Sequence, residues 1–308
     1  MQDIGTGYLI ILRPLLVLFN INQIRMILTI LLVALAIILS FLIGKKINFI
    51  TAMTFLMGLL GVEYFYLGFS LQGIFVFIIM MISSIIILLR YKKIKSFGLL
   101  FFITGILTNF FDFLTVPIVT LIIPLIIYFL LKQKEEILNL KIVFKELFFL
   151  TFAWGIGYGI TWFTKWILVD LFFNKNMISV AINQVLYRST EKTSMTTYNV
   201  FNVIEENLDY IIVPFFISVF CTFLIINLKI LFNNYSLVKP NVNQLLNRIL
   251  PYVIILLVPF CWYALLQNHS YYHAFFTYRN LIIVNISFNI IIIEIFLSFF
   301  KEEKNNEK

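Results

Sequence analysis

Long apolar runs separated by short polar connections dominate the chain. The runs 26–43, 73–89 and 208–227 contain no basic residue. A helix needs about 20 apolar residues to cross roughly 30 Å of hydrocarbon. Because lipid offers no hydrogen-bond partner, every backbone polar group must be paired within such a segment, and the runs are therefore predicted to be helices.

The pattern predicts an all-α, polytopic integral membrane protein in which residues 1–308 form a single transmembrane domain. About nine spans are predicted, at 26–43, 48–62, 73–89, 97–111, 115–131, 147–164, 208–227, 249–266 and 281–300. The earlier stretch 8–19 is interrupted by Arg13 and Pro14. It is predicted to be an interfacial or re-entrant element.

Composition supports this class of protein. The chain is 61% hydrophobic and 12% charged, whereas soluble domains are about 45–50% apolar and about 25% charged. Its net charge of +8 comes from short basic clusters at helix ends. No soluble basic domain is present to hold a duplex, so nucleic acid is rejected as a partner. Cys221 and Cys261 lie inside apolar runs and are expected to pack as small apolar residues.

The distribution of Lys and Arg predicts the orientation. Sixteen of the 23 basic residues fall in one set of connections, which the positive-inside rule assigns to the cytoplasm together with the C-terminus. Nine spans then place the N-terminus outside. Either one span is miscounted, or a preceding helix and outer loop are missing from this chain.

The longest predicted connection is the outer segment 165–207. Apolar residues recur at helical spacing over 167–187, which predicts a helix lying on the membrane surface. The segment 188–202 is rich in Ser, Thr and Asn and is predicted to be a loop. In the preceding span, Gly155 and Gly159 form a GxxxG pattern, which predicts close packing against another helix.

Two carboxylates in short outer connections are candidate catalytic groups. Asp112 stands between two phenylalanines at the lipid boundary, where a carboxylate must be solvated or paired. It could be a general base or cation ligand in an outer cavity, or a solvated N-cap of the helix that enters through Pro117. Glu63 is the second candidate, with a solvated loop carboxylate as the alternative.

The last outer connection holds both histidines of the chain, His269 and His273. A spacing of four places them on one helix face. Zinc needs further ligands, and no HExxH pattern or cysteine ligand is present, so no metal site is expected. Hydrogen bonding to an anionic head group fits better, with Arg279 supplying a planar charge for phosphate. An aromatic interfacial belt without a ligand is the alternative.

Three further charged residues are singled out. Lys165 and Arg188 could reach a phosphate on the outer face, although a lysine at a helix end can also simply extend to the interface. Glu294 is the ionisable residue placed well inside a predicted span. Its position suggests a functional site, or a carboxylate that reaches inward to pair with an inner-end lysine.

Several segments together resemble a group of bacterial polytopic membrane proteins related to GT-C-type glycosyltransferases of cell-surface polysaccharide assembly. These segments are GYLIILRPLL from Gly7, FDFLTVP from Phe111, GYGITWFTKW from Gly157, NQVLYRS from Asn183, and the stretch from Asn268 to Arg279. The resemblance implies a GT-C-like fold with an extracytoplasmic active site and a polyprenyl-phosphate-linked sugar donor. The family's usual catalytic carboxylate lies in the loop after its first span, and this loop has no counterpart here. The resemblance therefore favours the explanation that a preceding helix and outer loop are missing, and it leaves Asp112 as the acidic candidate.

The predicted function is sugar transfer from a polyprenyl-phosphate donor to a glycan or glycopolymer acceptor, on the outer face of a bacterial cell membrane. Asp112, with Glu63, is expected to act as base or acceptor-binding group. The aromatic residues expected to line the sugar and lipid cleft are Trp162, Trp166 and Tyr66. The expected phosphate-binding residues are Arg279, His269, His273, Arg188 and Lys165. No cofactor is expected, and a divalent cation is left open. The alternatives are a membrane transporter or flippase for a lipid-linked or small solute, and a truncated, non-catalytic relative.

Overall fold

A computed structural model describes residues 7–112, 114–136, 138–173, 177–189, 199–233 and 235–302. The α-helices are α1 Tyr8–Leu18, α2 Ile21–Lys46, α3 Phe49–Gly61, α4 Ile74–Arg90, α5 Gly98–Phe111, α6 Val119–Glu135, α7 Leu140–Phe173, α8 Met177–Ser189, α9 Val200–Asp209, α10 Ile212–Phe232, α11 Val242–Leu256, α12 Val258–Leu265, α13 Gln267–Tyr272, α14 Ala274–Thr277 and α15 Ile282–Ser298. Two 3₁₀ helices cover Tyr64–Phe69 and Tyr278–Leu281, and the strands β1 Tyr235–Leu237 and β2 Phe300–Glu302 pair antiparallel.

The helical membrane class is confirmed in its coarse form. Within the described ranges, four helical stretches are long and apolar enough to cross a membrane, namely Ile21–Lys46, Ile212–Phe232, Val242–Leu265 and Ala274–Ser298. Each predicted span overlaps a helix, and the span 249–266 overlaps two, α11 and α12. Helices α3 and α5 have only 13 and 14 residues. Helices of that length are about 20 Å long, which is shorter than the hydrocarbon layer. The count of nine spans therefore stays a prediction.

Helix α6 forms the centre of the molecule. Every residue over 119–131 is buried, and the helix contacts α4, α5, α7, α11 and α15. A helix that is apolar on all sides needs such an enclosed position. By contrast, α2 and α10 expose large apolar side chains, including Ile37, Phe216 and Phe220. Exposed apolar surfaces of this kind suit helices that face lipid.

The close contact between α5 and α7 depends on two glycines that the GxxxG pattern did not include. A side chain at Gly157 would overlap the backbone carbonyl of Phe102, and one at Gly105 would overlap the carbonyl of Trp154. Gly155 and Gly159 have open space around them. The prediction that this pair mediates the packing is therefore wrong. The expected close approach of α7 to a neighbouring helix occurs at Gly157, two residues from each member of the pair.

The predicted outer connection 165–207 is more helical than its sequence suggested. Helix α7 continues to Phe173, and α8 extends to Ser189. Arg188 therefore lies in the last turn of a helix, where the sequence predicted the start of a loop. Trp166 packs on Ala181 and so joins α7 to α8, in place of the cleft-lining role expected for it. The remainder of the predicted loop up to 198 lies outside the described residues.

The basic connections meet at one end of the helical bundle. Lys134 Nζ donates hydrogen bonds to the carbonyls of Lys46 and Ile47. Arg248 Nη1 lies 3.2 Å from Glu294 Oε2, so the carboxylate singled out inside the last span pairs with an arginine of a neighbouring helix. The connections that carry the candidate site contact one another at the opposite end. Which end faces the cytoplasm stays a prediction.

Candidate functional site

A cavity of about 200 Å³ lies between α8 and α13. Its lining residues are Gln184, Tyr187, Arg188, Asn268, His269, Tyr272 and His273. Gln184 and Arg188 are one helical turn apart, which places both on the same face of α8. The two helices are joined by a hydrogen bond of 2.5 Å from Asn268 Nδ2 to the carbonyl of Tyr187. We call this cavity the outer cavity, because the sequence predicts that this end of the bundle faces outward. It contains three of the predicted phosphate-binding residues.

The two histidines contact each other in the outer cavity, with ring centroids 4.8 Å apart. His269 Nε2 lies 2.6 Å from the carbonyl oxygen of Leu114. Because a carbonyl can only accept, Nε2 must carry the proton of this hydrogen bond. Burial, followed by the charge of Arg188 and the neighbouring His273, lowers the pKa of His269 to about 4. His269 is therefore neutral at pH 7, and its Nδ1 is an acceptor.

Arg188 supplies the positive charge of the outer cavity. Its guanidinium is half-buried, and burial lowers its pKa from the ordinary value. A guanidinium still keeps its proton at neutral pH. Burial and the charge of Arg188 also lower the pKa of His273. The cavity thus combines one permanent cation with two imidazoles whose protonation is disfavoured, so recognition of an anion by charge rests on Arg188.

The Asp112 carboxylate organises the turn below the cavity. Asp112 is the C-cap of α5, and its Oδ1 accepts hydrogen bonds from the backbone N–H of Thr115, at 3.1 Å, and from the Thr115 hydroxyl. Leu114, inside this turn, has a φ of 65°, in the left-handed region that few non-glycine residues adopt. The turn directs the Leu114 carbonyl towards His269. Asp112 therefore caps a turn, since α6 begins only at Val119, and it does not line the cavity itself.

Lys165 and Tyr158 connect this turn to the cavity. Lys165 Nζ donates a hydrogen bond of 2.7 Å to the Asn109 carbonyl, and Asp112 lies near enough to attract its charge. Tyr158, two helical turns before Lys165 on α7, interacts electrostatically with both Asp112 and Arg188. The structure therefore gathers five of the seven predicted site residues into one cluster, namely Asp112, Lys165, Arg188, His269 and His273.

Glu63 and Arg279 form a second cluster. Arg279 Nη2 lies 3.7 Å from Glu63 Oε2, and Arg279 Nη1 donates to the Phe275 carbonyl. The guanidinium carbon is 4.9 Å and 4.6 Å from the ring centroids of Phe276 and Tyr278. Neither Glu63 nor Arg279 lines the outer cavity. Their partners come from the protein itself, so the structure does not bring the expected phosphate ligand Arg279 together with the histidines.

Sequence reasoning missed Tyr158, Gln184 and Asn268 as parts of the cluster. Two of them had a detectable signal. Tyr158 is a polar-tipped aromatic seven residues before Lys165, a spacing that places both on one helix face. Gln184 precedes Arg188 by four residues, with the same consequence. Asn268 contacts a helix 81 residues earlier in the chain, and no local spacing predicts that contact.

The described part of the chain contains no group of three or more His, Cys, Asp or Glu side chains placed to hold a metal ion. No protein-family model matches the chain, and neither a curated protein nor a solved structure matches it. Functional inference therefore rests on the geometry of the outer cavity and on the chemistry of its residues.

Proposed function

We propose that the outer cavity binds the phosphate of a lipid-linked sugar and that the chain acts as a GT-C-like glycosyltransferase on the extracytoplasmic membrane face. The observation that carries the proposal is the convergence of Arg188, His269 and His273 on one cavity. Arg188 offers a fixed, planar set of donors that matches a phosphate. The neutral imidazoles offer hydrogen bonds to a phosphate or to sugar hydroxyls.

The surroundings of the cavity favour a lipid-borne ligand. On α8, Ile182, Val185 and Leu186 are exposed, and they belong to the same helix as Arg188. Apolar side chains exposed beside a half-buried cation suit a helix at the membrane interface. The cavity is also smaller than the roughly 300–1,000 Å³ of sites for drug-sized ligands. It therefore fits a head group whose hydrocarbon chain remains in the bilayer.

The proposed reaction is a displacement at the anomeric carbon of the donor sugar. An acceptor hydroxyl oxygen forms a bond to that carbon while the bond to the lipid phosphate oxygen breaks, and the phosphate leaves with the electron pair. Asp112 stands beside the cavity and outside its lining, so in this proposal the acceptor sugar binds at the Asp112 turn and gives its hydroxyl proton to that carboxylate. Arg188 stabilises the charge that develops on the departing phosphate. Lys165 lies near enough to Asp112 for their opposite charges to attract each other.

Glu63 and Arg279 take an indirect part in this proposal. Their ion pair and the stacking of Arg279 on Phe276 and Tyr278 hold the segment that follows His273. In this role they position α13 and α14 relative to α8. The base function expected of Glu63 and the phosphate contact expected of Arg279 remain predictions for the transfer assay.

The decisive experiment measures donor binding and sugar transfer in the same preparation. Full-length protein in detergent or nanodiscs receives farnesyl phosphate for binding, with farnesol as the uncharged control, and radiolabelled polyprenyl-phosphate hexoses for transfer. We expect Asp112→Asn to reduce transfer about 10²–10⁴-fold, the usual contribution of a general base, while farnesyl phosphate binding is retained. Glu205→Gln, an exposed carboxylate on α9, is the matched control.

Retained transfer in Asp112→Asn would remove Asp112 as the base. Farnesyl phosphate binding without sugar transfer from any donor would favour a non-catalytic lipid-phosphate binder or a flippase over an enzyme.

One structural feature bears on the flippase alternative. Asn289 Nδ2 donates to Ser218 Oγ and to Asn285 Oδ1 at 3.1 and 2.8 Å, deep between α10 and α15. Neutral polar groups of this kind can line a transport path, although here they are bonded to one another and join two helices.

A further inference from the structure

A second cavity, of about 460 Å³, lies at the opposite end of the bundle. It is enclosed by the connection between α4 and α5, by the end of α6 and by the start of α7. Lys92 and Lys95 line it from the connection, and Lys145 lines it from α7. We refer to it as the basic cavity. The proposed glycosyltransferase function makes no use of it.

The floor of the basic cavity is a paired set of charges. Lys132 Nζ lies 3.2 Å from Glu146 Oε1 and 2.9 Å from Glu136 Oε1. The Tyr128 hydroxyl donates a hydrogen bond of 3.0 Å to the other oxygen of Glu146. These groups satisfy one another and form a fixed polar base. Since Lys132 is already neutralised, the charge available to a ligand comes from the walls.

The walls are positively charged. Lys92, Lys95 and Lys145 are exposed and take part in no ion pair within the described residues. Glu135 is the remaining carboxylate among the lining residues. On the walls three lysines stand against this one acid. The floor adds one lysine and two carboxylates, so the cavity and its floor together carry an excess of one positive charge. A lysine row that serves only as a topology signal does not need to line a recess of this size.

Aromatic rings form the side of the cavity nearest the bundle. Tyr91 stacks on Phe97 with ring centroids 5.9 Å apart, and the Phe97 ring meets that of Tyr128 at 5.5 Å. Burial raises the pKa of the Tyr91 hydroxyl to about 12, so it remains a neutral donor. Phe149, half-exposed on α7, also lines the cavity. An apolar wall therefore adjoins the cationic one.

We propose that the basic cavity binds the phosphate of an anionic phospholipid head group from the leaflet at this end of the bundle. The lysines would neutralise the phosphate, the Tyr91 hydroxyl would donate to the head group, and Phe149 would contact the acyl chain. Basic recesses between helices at the membrane surface suit such head groups. A free phosphate ion shares the charge but has no use for the apolar wall.

The test compares lipid probes on the purified full-length chain in detergent by native mass spectrometry. Dioctanoyl phosphatidylglycerol is the anionic probe, dioctanoyl phosphatidylcholine is the zwitterionic control, and inorganic phosphate is the soluble competitor. Each lysine near a lipid phosphate contributes roughly fivefold in affinity, so the triple variant Lys92→Gln, Lys95→Gln, Lys145→Gln is expected to bind phosphatidylglycerol about 100-fold more weakly. Lys145→Gln alone should weaken binding about fivefold. Lys141→Gln, one helical turn away, exposed and outside the lining, should not weaken it.

Selective phosphatidylglycerol binding that is lost in the triple variant and kept in Lys141→Gln supports the proposal. Equal binding of the two lipids, or equal binding by the wild type and the triple variant, overturns it. Displacement of phosphatidylglycerol by millimolar inorganic phosphate would overturn the lipid source and assign the site to a soluble phosphate. Farnesyl phosphate binding at the outer cavity is measured in parallel, because its retention shows that the triple variant is folded.

Discussion

Arg188 and Arg279 lie at the same end of the molecule, and the sequence assigned both to phosphate binding. The structure separates them. Arg188 lines an open cavity with two histidines, whereas the Arg279 side chain is only 10% exposed and contacts Glu63, the Phe275 carbonyl and two aromatic rings. An arginine whose surroundings are filled by its own protein stabilises the fold. Arg188 interacts with Tyr158 and also borders a cavity that a ligand can enter.

This difference shows what residue type cannot decide. Both arginines stand among aromatics and polar residues near the membrane interface, and either neighbourhood is compatible with a phosphate ligand. The deciding property is whether the outer cavity adjoins the guanidinium, as it does for Arg188 and not for Arg279. For Arg279 the contacts come from one helical turn around it and from Glu63, more than 200 residues earlier in the chain. Only the folded arrangement reveals the long-range partner.

The largest expected effect comes from substituting the two arginines separately. Arg279→Ala removes a buried side chain packed between Phe276 and Tyr278, and we expect the free energy of unfolding to fall by about 2–5 kcal/mol. Arg188→Gln should leave thermal stability close to that of the wild type. It should weaken farnesyl phosphate binding about 10–100-fold, because a charged hydrogen bond contributes about 1.5–3 kcal/mol. Unfolding and binding are measured on the same detergent preparations.

The exposed Arg90 at the opposite end of the bundle offers a matched control, since Arg90→Gln should change neither quantity. The reverse result would break the comparison. If Arg279→Ala unfolded normally and lost phosphate binding, Arg279 would be the ligand and Arg188 a structural residue.

The acid sensitivity of His269 gives a second way to sharpen the comparison. Its pKa is about 4 in the folded protein, against about 6.5 in an unfolded chain. Between these values the unfolded state binds more protons, so the free energy of unfolding falls as the pH drops from about 6.5 to about 4. The loss for this one group is on the order of 3 kcal/mol. His269→Gln keeps a donor for the Leu114 carbonyl and should lose less stability over that range.

The measurement is thermal unfolding at pH 7, 5.5 and 4.5 for the wild type, His269→Gln and Arg188→Gln. Because the charge of Arg188 helps to lower the His269 pKa, Arg188→Gln should bring that pKa closer to its unfolded value, so the loss of stability on acidification should be smaller and should end at a higher pH. Arg279 is not among the groups that shift the His269 pKa, so an Arg279 variant should keep the pH dependence of the wild type and serves as the reference. Identical pH profiles for the wild type and His269→Gln would contradict the assignment of His269 as a buried neutral imidazole.

The sequence predicted the features that depend on local periodicity. Helical segments, their apolar faces and the outer-end grouping of Asp112, Lys165, Arg188 and the histidines follow from spacing and composition. The contacts that define the cavity do not, because His269 meets a carbonyl 155 residues earlier and Asn268 meets one 81 residues earlier. Local spacing also failed where two faces of one helix carry similar residues. Three glycines at alternate positions gave α7 two possible packing faces, and the pattern selected the wrong one.

The smallest effect concerns the α5–α7 contact, which holds Lys165 next to the Asp112 turn and is remote from the Arg279 cluster. A methyl group at Gly157 would overlap the Phe102 carbonyl, and a backbone atom cannot move aside as a flexible side chain can. Gly157→Ala should therefore cost about 1–3 kcal/mol of unfolding free energy. In Gly155→Ala the added methyl group meets nothing within 4 Å, so this variant should raise the free energy of unfolding by up to about 1 kcal/mol through helix propensity. If α7 used its GxxxG face instead, the order of stability of the two variants would reverse.

The same two variants can be compared by ligand binding. Because the α5–α7 contact supports the outer cavity, Gly157→Ala should also weaken farnesyl phosphate binding, and Gly155→Ala should leave that binding intact.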